Sequence, residues 1–180
     1  MADNIGLMIA TGTTQGVIKA SEDKRVEGDL KFADGVEVWA HTTGVLTPTD
    51  PSRLVVTGRA THTPFSVWTP TSSATPKFFQ ASANGEVFST ITLTYNQIST
   101  AGKPVKWYQW SLTNAIIVAF QQNLGMPTAS SGTAVTDAGA SSQLLGLHDI
   151  VLIKFTFETI THTHLVANTV ATASVVGASK

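Results

Sequence analysis

Three windows of this chain alternate apolar and polar residues with period two. Val36, Val38 and Ala40 alternate with Glu37, Trp39 and His41. In residues 86–96, Val87, Ile91, Leu93 and Tyr95 share one face, while Thr90, Thr92 and Thr94 share the other. From residue 150 to about 166, Val151, Ile153, Phe155 and Phe157 alternate with Lys154, Thr156 and Glu158, with His162 and His164 continuing the polar face. Only an extended chain throws successive side chains to opposite sides, so each window reads as a strand with one buried face. Residues 105–120 carry aromatic and aliphatic residues on both faces and read as one strand, or two, covered on both sides. Shorter extended runs are expected at 16–20 and 54–57, and another β segment at 170–176.

One stretch departs from this pattern. Pro64 stands at the head of a strand over 65–68, where its missing N–H breaks no ladder bond. Ser72 and Thr75 precede Pro76, which predicts a hydroxyl cap and a proline in the first helical turn. The helix is expected over about 75–83, anchored by Phe78 and Phe79 and stopped by Asn84-Gly85 in the left-handed conformation. Many strands and one short helix suit a mainly-β fold, a β-barrel of two packed antiparallel sheets with one flanking helix. All 180 residues read as a single domain without internal repeats.

Charge is sparse. Asp, Glu, Lys and Arg make up 13% of the chain, against about 25% in typical soluble domains, and the net charge is −1. A Thr- and Ser-rich surface of this kind can be buried against other subunits without desolvating many ions. No basic field exists to attract nucleic acid. The mixed charges of residues 22–37 read as a solvated loop, and 128–146, nearly uncharged, as a long loop. There is no cysteine, so disulfides and thiolate chemistry are excluded. The first twelve residues lack a basic n-region, and no window reaches the roughly 20 apolar residues of a membrane helix. The expectation is a protein without membrane insertion, cytoplasmic when assembled; if it leaves the cell, it does so by a dedicated machine and without a signal peptide.

Candidate chemistry is thin. His162 and His164 alternate on a strand and could meet one metal, but no Asp, Glu or His follows them to complete a site. His62 lies near Arg59, without a Gly-x-Ser-x-Gly elbow in the chain. Their expected role is to bond carbonyls in the turn that sets the next strand. No phosphate-binding loop is present. Trp107, Tyr108 and Trp110 have only Lys103 and Lys106 beside them, too little charge for a single-strand platform, so they read as core or interface. No catalytic set and no cofactor is expected.

The order of several segments resembles the haemolysin-coregulated protein (Hcp) family, the tail-tube subunits of type VI secretion systems. Gly58-Arg59, His62 and Pro64 match its G-R-x-x-H-x-P pattern, and Ala74-Thr75-Pro76 with Phe78 and Phe79 matches the segment that opens its helix. Residues 16–22, 36–46 and 155–162 resemble its first, second and late strands, and Tyr108, Leu112, Asn114 and Ala115 its I-T-L-x-N-A strand. The match spans roughly 16–166. Thr69 and Ser72 stand where the family usually carries Lys and Asp, Ala20 stands for a usual Gly, and the usual Asp-x-Trp ending is missing.

The resemblance implies a homohexameric ring that stacks into a tube. Sheath and spike proteins of the apparatus would be partners, with effector proteins in the lumen. It also implies an assembly loop that reaches a neighbouring ring, here Leu46, Thr47, Pro48, Thr49, Asp50 and Pro51. Alternatives are the tail-tube protein of a phage or other contractile injection particle, a monomeric ligand-binding β-barrel, and a metal enzyme using His162 and His164.

Overall fold

In a computed structural model, residues 6–28, 30–53, 55–99, 102–124 and 149–175 are described. The long loop expected over 128–146 lies outside them. The chain opens with β1 (Gly6–Gly12) and β2 (Gly16–Ile18), then β3 (Val26–Glu27), β4 (Leu30–Lys31) and a short 3-10 turn at Phe32–Asp34. Next come β5 (Val36–Val38), β6 (Ala40–Thr42), β7 (Val45–Leu46), β8 (Thr49–Asp50), β9 (Val55–Val56), β10 (Thr61–His62) and β11 (Phe65–Pro70). The helix α1 (Thr75–Asn84) precedes β12 (Val87–Ile98), β13 (Pro104–Leu124), β14 (Asp149–Thr156), β15 (Thr159–His164) and β16 (Thr169–Ser174). The mainly-β architecture with one helix agrees with the alternation in the sequence.

The main sheet is antiparallel and runs β2-β1-β12-β13-β14-β11-β6. Its ends approach each other through residues 36–42. The first half of that segment pairs with β1, Gly6 opposite Val38. The second half pairs with β11, Val67 opposite His41, and between them the Trp39 N–H donates to the Trp68 carbonyl at 2.9 Å. No single strand joins both ends along its length, so the barrel is not closed by a continuous ladder.

β1 was not foreseen as a strand. Met8 and Ala10 are fully buried on its inner face. Its outer face is covered by Leu30 and Phe32, which pack with Leu7 and Ile9. Residues 22–37 are therefore not a plain solvated loop. Arg25 grips Asp23 through Nε–Oδ1 at 2.9 Å and also reaches Glu37, and its guanidinium lies 4.8 Å from the buried Phe32 ring. The hydrogen bonds from Arg25 hold the Asp23 carboxyl below its ordinary range.

The faces of the central strands switch along one line across the sheet. On β12 the buried positions run Phe88, then Ile91, Leu93 and Tyr95. Ser89 is the extra residue where β1 skips from Thr11 to Gly12. Val87, expected inside, is 39% exposed, and Phe88 takes its place. On β13, Leu112 is buried, Asn114 turns left-handed at φ 49, and burial resumes at Ala115 and Ile117. Opposite lies the gap between β14 and β15. Their registers against β13 are continuous, Thr156 opposite Ile116 and Thr159 opposite Thr113. The expected single late strand is thus two, broken at Phe157 and Glu158, with the Asn114 amide donating to the Glu158 carboxylate. At each of these places the buried positions fall three residues apart instead of two, which flips the parity beyond it.

α1 closes one end of the core through Ala74, Phe78 and Ala81. Gly85 ends it at φ 63, as the sequence predicts. Phe79 does not anchor it: that ring is 60% exposed, and its aromatic contact among the described residues is Phe120, edge-on at 5.7 Å. The expected hydroxyl cap is also absent. Ala74 is the N-cap residue, and Thr75, in the first helical position, accepts a bond from the Ser72 N–H at 3.0 Å. A distant carboxylate, Glu22, instead takes the Ser73 N–H at 2.6 Å and the Ser73 hydroxyl, and these bonds hold its carboxyl below the usual range. β13 is not covered on both sides within one chain, for Ile116 and Val118 are 37% and 49% exposed.

Candidate functional site

The parity flip at 157–158 decides where the histidines go. Phe157 faces the core, and after the break Ile160 does so. His162 and His164 follow Ile160 in steps of two, so they continue the inner face and not the outer polar face expected from alternation. His162 lies flat on Trp110, ring centroids 3.8 Å apart and planes 6° apart. Tyr108 stacks near it at 4.8 Å and 16°. The opposite wall carries His41, whose Nδ1 pairs with the Tyr95 hydroxyl at 2.8 Å. Together with Trp39 and Trp107 these rings line an open cleft of about 410 Å³.

Trp107 reaches this cleft because of another bulge. Tyr95 pairs with Tyr108, but the next pair is Asn96 with Lys106, leaving Trp107 unmatched. A bulge re-aims its extra side chain, so the neighbours Trp107 and Tyr108 line one wall. Trp107 Nε1 donates to His164 Nε2 at 3.1 Å, and the Ala167 N–H points to His164 Nδ1 at 3.0 Å. A neutral imidazole has one lone-pair nitrogen, so it serves one of these donors at a time.

Electrostatically the cleft disfavours charge. Burial, with a contribution from nearby His162, pushes His41 down to about 4. Burial and then the neighbouring His164 lower His162 as well, and burial raises the Tyr95 hydroxyl. His162 and His164 do share a face, but their rings are engaged with Trp110 and Trp107. Among the described residues no group of three His, Cys, Asp or Glu converges.

The assembly-loop residues occupy a different place. β7 pairs with β10, Leu46 opposite Thr61, and β8 pairs with β9, Thr49 opposite Val56. The Thr57 N–H closes on the Pro48 carbonyl at 2.9 Å between them. Leu46, Thr47, Pro48, Thr49, Asp50 and Pro51 thus form one arm and the tip of a hairpin whose pairings lie outside the main sheet. Asp50 shapes the tip by accepting the Ser52 N–H at 2.9 Å. Val45, Leu46, Val55 and Val56 are each more than half exposed along it.

The motif residues serve this hairpin and its exit. A Cβ on Gly58 would sit 3.3 Å from the Pro48 ring, so glycine lets the arms approach. Arg59 is exposed with no hydrogen bond among the described residues, and the His62 ring meets Phe157 edge-on at 5.8 Å. Neither side chain bonds turn carbonyls, contrary to the expectation for them. Pro64 immediately precedes β11, and Thr75 and Pro76 open α1.

One polar site was missed by sequence reasoning. The Glu86 carboxylate, directly after the helix stop, accepts the N–H groups of Thr14 and Gln15 at 2.8 Å each and the Gln15 amide at 3.0 Å. Burial alone would raise this carboxyl; the Gln15 and Thr14 bonds outweigh burial and hold it below the usual range. The signal available was its position at a Gly-terminated helix end, but its partners lie more than seventy residues away.

A mainly-β domain with one flanking helix and one projecting hairpin is the class this geometry defines. Residues 23–164 match the family described as type VI secretion system effector, Hcp, and the chain belongs to that family. Its fold is similar to a crystal structure of an Hcp protein with a TM-score of 0.77 at 17% identity, over 96% of this chain and 98% of that one. It is also similar to the secreted protein Hcp3 from Pseudomonas aeruginosa, with a TM-score of 0.69 at 21% identity over 94% and 98%. Hcp1 from the E. coli EAEC 042 pathovar gives 0.71 at 20% identity, over 97% and 100%. No curated protein sequence matches this chain. No helix among the described residues is long and apolar enough to cross a membrane.

Proposed function

We propose that this Hcp-family chain is the structural subunit of a type VI secretion tube, forming homohexameric rings that stack, carry effector proteins in the lumen, and are enclosed by sheath and spike partners. The projecting hairpin carries this reading. A two-stranded hairpin alone is marginal in water. This one presents four exposed aliphatic side chains and unpaired edges. A neighbouring ring supplies what it lacks, by strand addition or by burying that apolar arm. The exposed Ile116 and Val118 on β13 offer a second contact face, consistent with a subunit that is not complete by itself. The low charge of the chain suits repeated burial of its surface.

Negative-stain microscopy together with light scattering tests the proposal. Six-fold rings with a central hole are expected, and stacks at high concentration. A stable monomer at high concentration would overturn the tube reading. Normal rings and stacks after deletion of residues 48–51 would overturn the role given to the hairpin while leaving the ring intact.

A further inference from the structure

Two apolar surfaces stand at opposite ends of β11. Ahead of its start lies the hairpin, with Val45, Leu46, Val55 and Val56 exposed. Past its end at Pro70 lies α1. The helix buries Phe78 and Ala81 and turns Phe79 outward. Phe79 is the only exposed Phe, Tyr or Trp among the described residues, although such rings are among the side chains most often buried. Pro76, Phe79 and Ala83 are all exposed and fall at i, i+3 and i+7, a second apolar stripe on the outer face of the helix. Phe120 flanks it, edge-on to Phe79. One stripe suffices to hold a helix on its own core; the second is left for another partner.

We propose that the outer face of α1 is the acceptor for the hairpin of a second copy of this chain, in the next ring of the stack, with hairpin aliphatic side chains packed on Phe79 and Phe120. This contact rests on the tube reading and names the surface on which the hairpin lands. The six residues of β11, at about 3.3 Å each, span roughly 20 Å between the root of the hairpin and α1, so one copy does not join its own two surfaces. A contact between unlike surfaces of identical copies is heterologous, and repeated by translation it builds an open stack instead of a closed dimer. Charge permits it. Lys77 is the only charged residue of α1, and at the hairpin tip Asp50 already faces Arg53 at 3.9 Å, so few ions lose water when the surfaces meet. A sheath or cargo protein on either surface would leave the other bare; the stacked copy covers both at once.

The chain has no cysteine, so introduced cysteine pairs report the contact without background. Ala83→Cys, beside Phe79 on the stripe, is combined with Thr49→Cys or with Thr57→Cys. Thr49 pairs with Val56 and Thr57 follows Val56, so the two positions sample opposite faces of the hairpin. Stacked rings are treated with a short bis-maleimide and run on denaturing gels. For at least one pair the ladder should continue past the hexamer, since linkage between rings has no closed end. Ala83→Cys with Val170→Cys, at an exposed site on β16, is the control and should give no ladder. Phe79→Asp should raise the concentration needed for stacking by about tenfold or more, with rings intact and the melting temperature of isolated subunits within a few degrees, while Phe79→Leu stacks nearly as the native chain does. A ladder that stops at the hexamer puts the hairpin on its own ring and overturns the proposal. So does an equal ladder in the control, or normal stacks without crosslinks, which leave α1 to another cover such as the sheath. Undiminished stacking by Phe79→Asp overturns it as well, as does a large fall in that variant's melting temperature, which would mean that its own chain covers the ring. In all these cases rings still form and the tube reading stands; absence of rings from the native chain overturns both.

Discussion

Acidification should destabilise this fold through His41, earlier than carboxylate protonation can. The ring stacks on Phe65 at 5.4 Å and 22°, lies 5.7 Å from Trp110, and shares a hydrogen bond with Tyr95. Burial sets its folded value at about 4 against 6.5 in the open chain, and His162 across the cleft adds to the fall. Above pH 6.5 both states are neutral and nothing is lost. Between 6.5 and 4 the unfolded chain takes up a proton that the folded chain refuses, so stability falls with pH; below 4 the loss stops growing. At about 1.4 kcal/mol per tenfold in proton affinity, the full loss is about 3 kcal/mol, of which about 2 is spent by pH 5. That is a large share of the roughly 5–15 kcal/mol of a typical domain. It corresponds to a fall of about 10 °C in Tm for a chain of this size.

The assay is thermal unfolding from pH 7.5 to 5 at one protein concentration, with His41→Phe beside the native chain. Phenylalanine keeps the stack but leaves the Tyr95 hydroxyl unpaired, which costs about 1–3 kcal/mol at every pH. The informative quantity is therefore the slope. It should flatten in the variant over pH 6.5–5, retaining only the smaller part due to His162. Equal slopes in the two proteins, or an NMR titration of His41 with a midpoint near 6.5, would refute the reasoning.

Other consequences follow from side chains at contrasting positions. Phe78→Ala should cost about 3–5 kcal/mol by chemical denaturation, whereas Phe79→Ala, at a 60% exposed site, should cost under about 1 kcal/mol. Glu86→Ala leaves the Thr14 and Gln15 N–H groups without their acceptor and should cost about 1–3 kcal/mol, with faster amide exchange over residues 13–16. Leu46→Lys with Val56→Lys should leave the melting temperature of isolated subunits within a few degrees while abolishing ring stacking in electron micrographs.

Local rules made much of this fold legible. Val36 and Val38 are buried in alternation because pleating alone sets that period. The helix boundaries were readable because Pro76 and Gly85 act through their own backbone angles. The strand after Pro64 began where proline permits it. Less was legible wherever a partner distant in sequence acts. β1 escaped notice because its outer face is covered by Phe32, and the Ser73 N–H found its acceptor in Glu22. Phe79 matched a family pattern and still faces outward, since spacing along a helix does not say what stands opposite.

By itself the sequence determined the β-rich class, the single helix, the charge-poor surface and the family resemblance, all properties of short windows and their order. Only the tertiary structure decided which face each strand buries along its full length. The bulges at Ser89 and Trp107 arise from the register between strands, and the 157–158 break sets buried positions three residues apart, so later side chains are turned over. That is why His162, read as part of a polar face from alternation, stacks on Trp110 in an aromatic cleft, and why His164 accepts a bond from Trp107 in the folded protein.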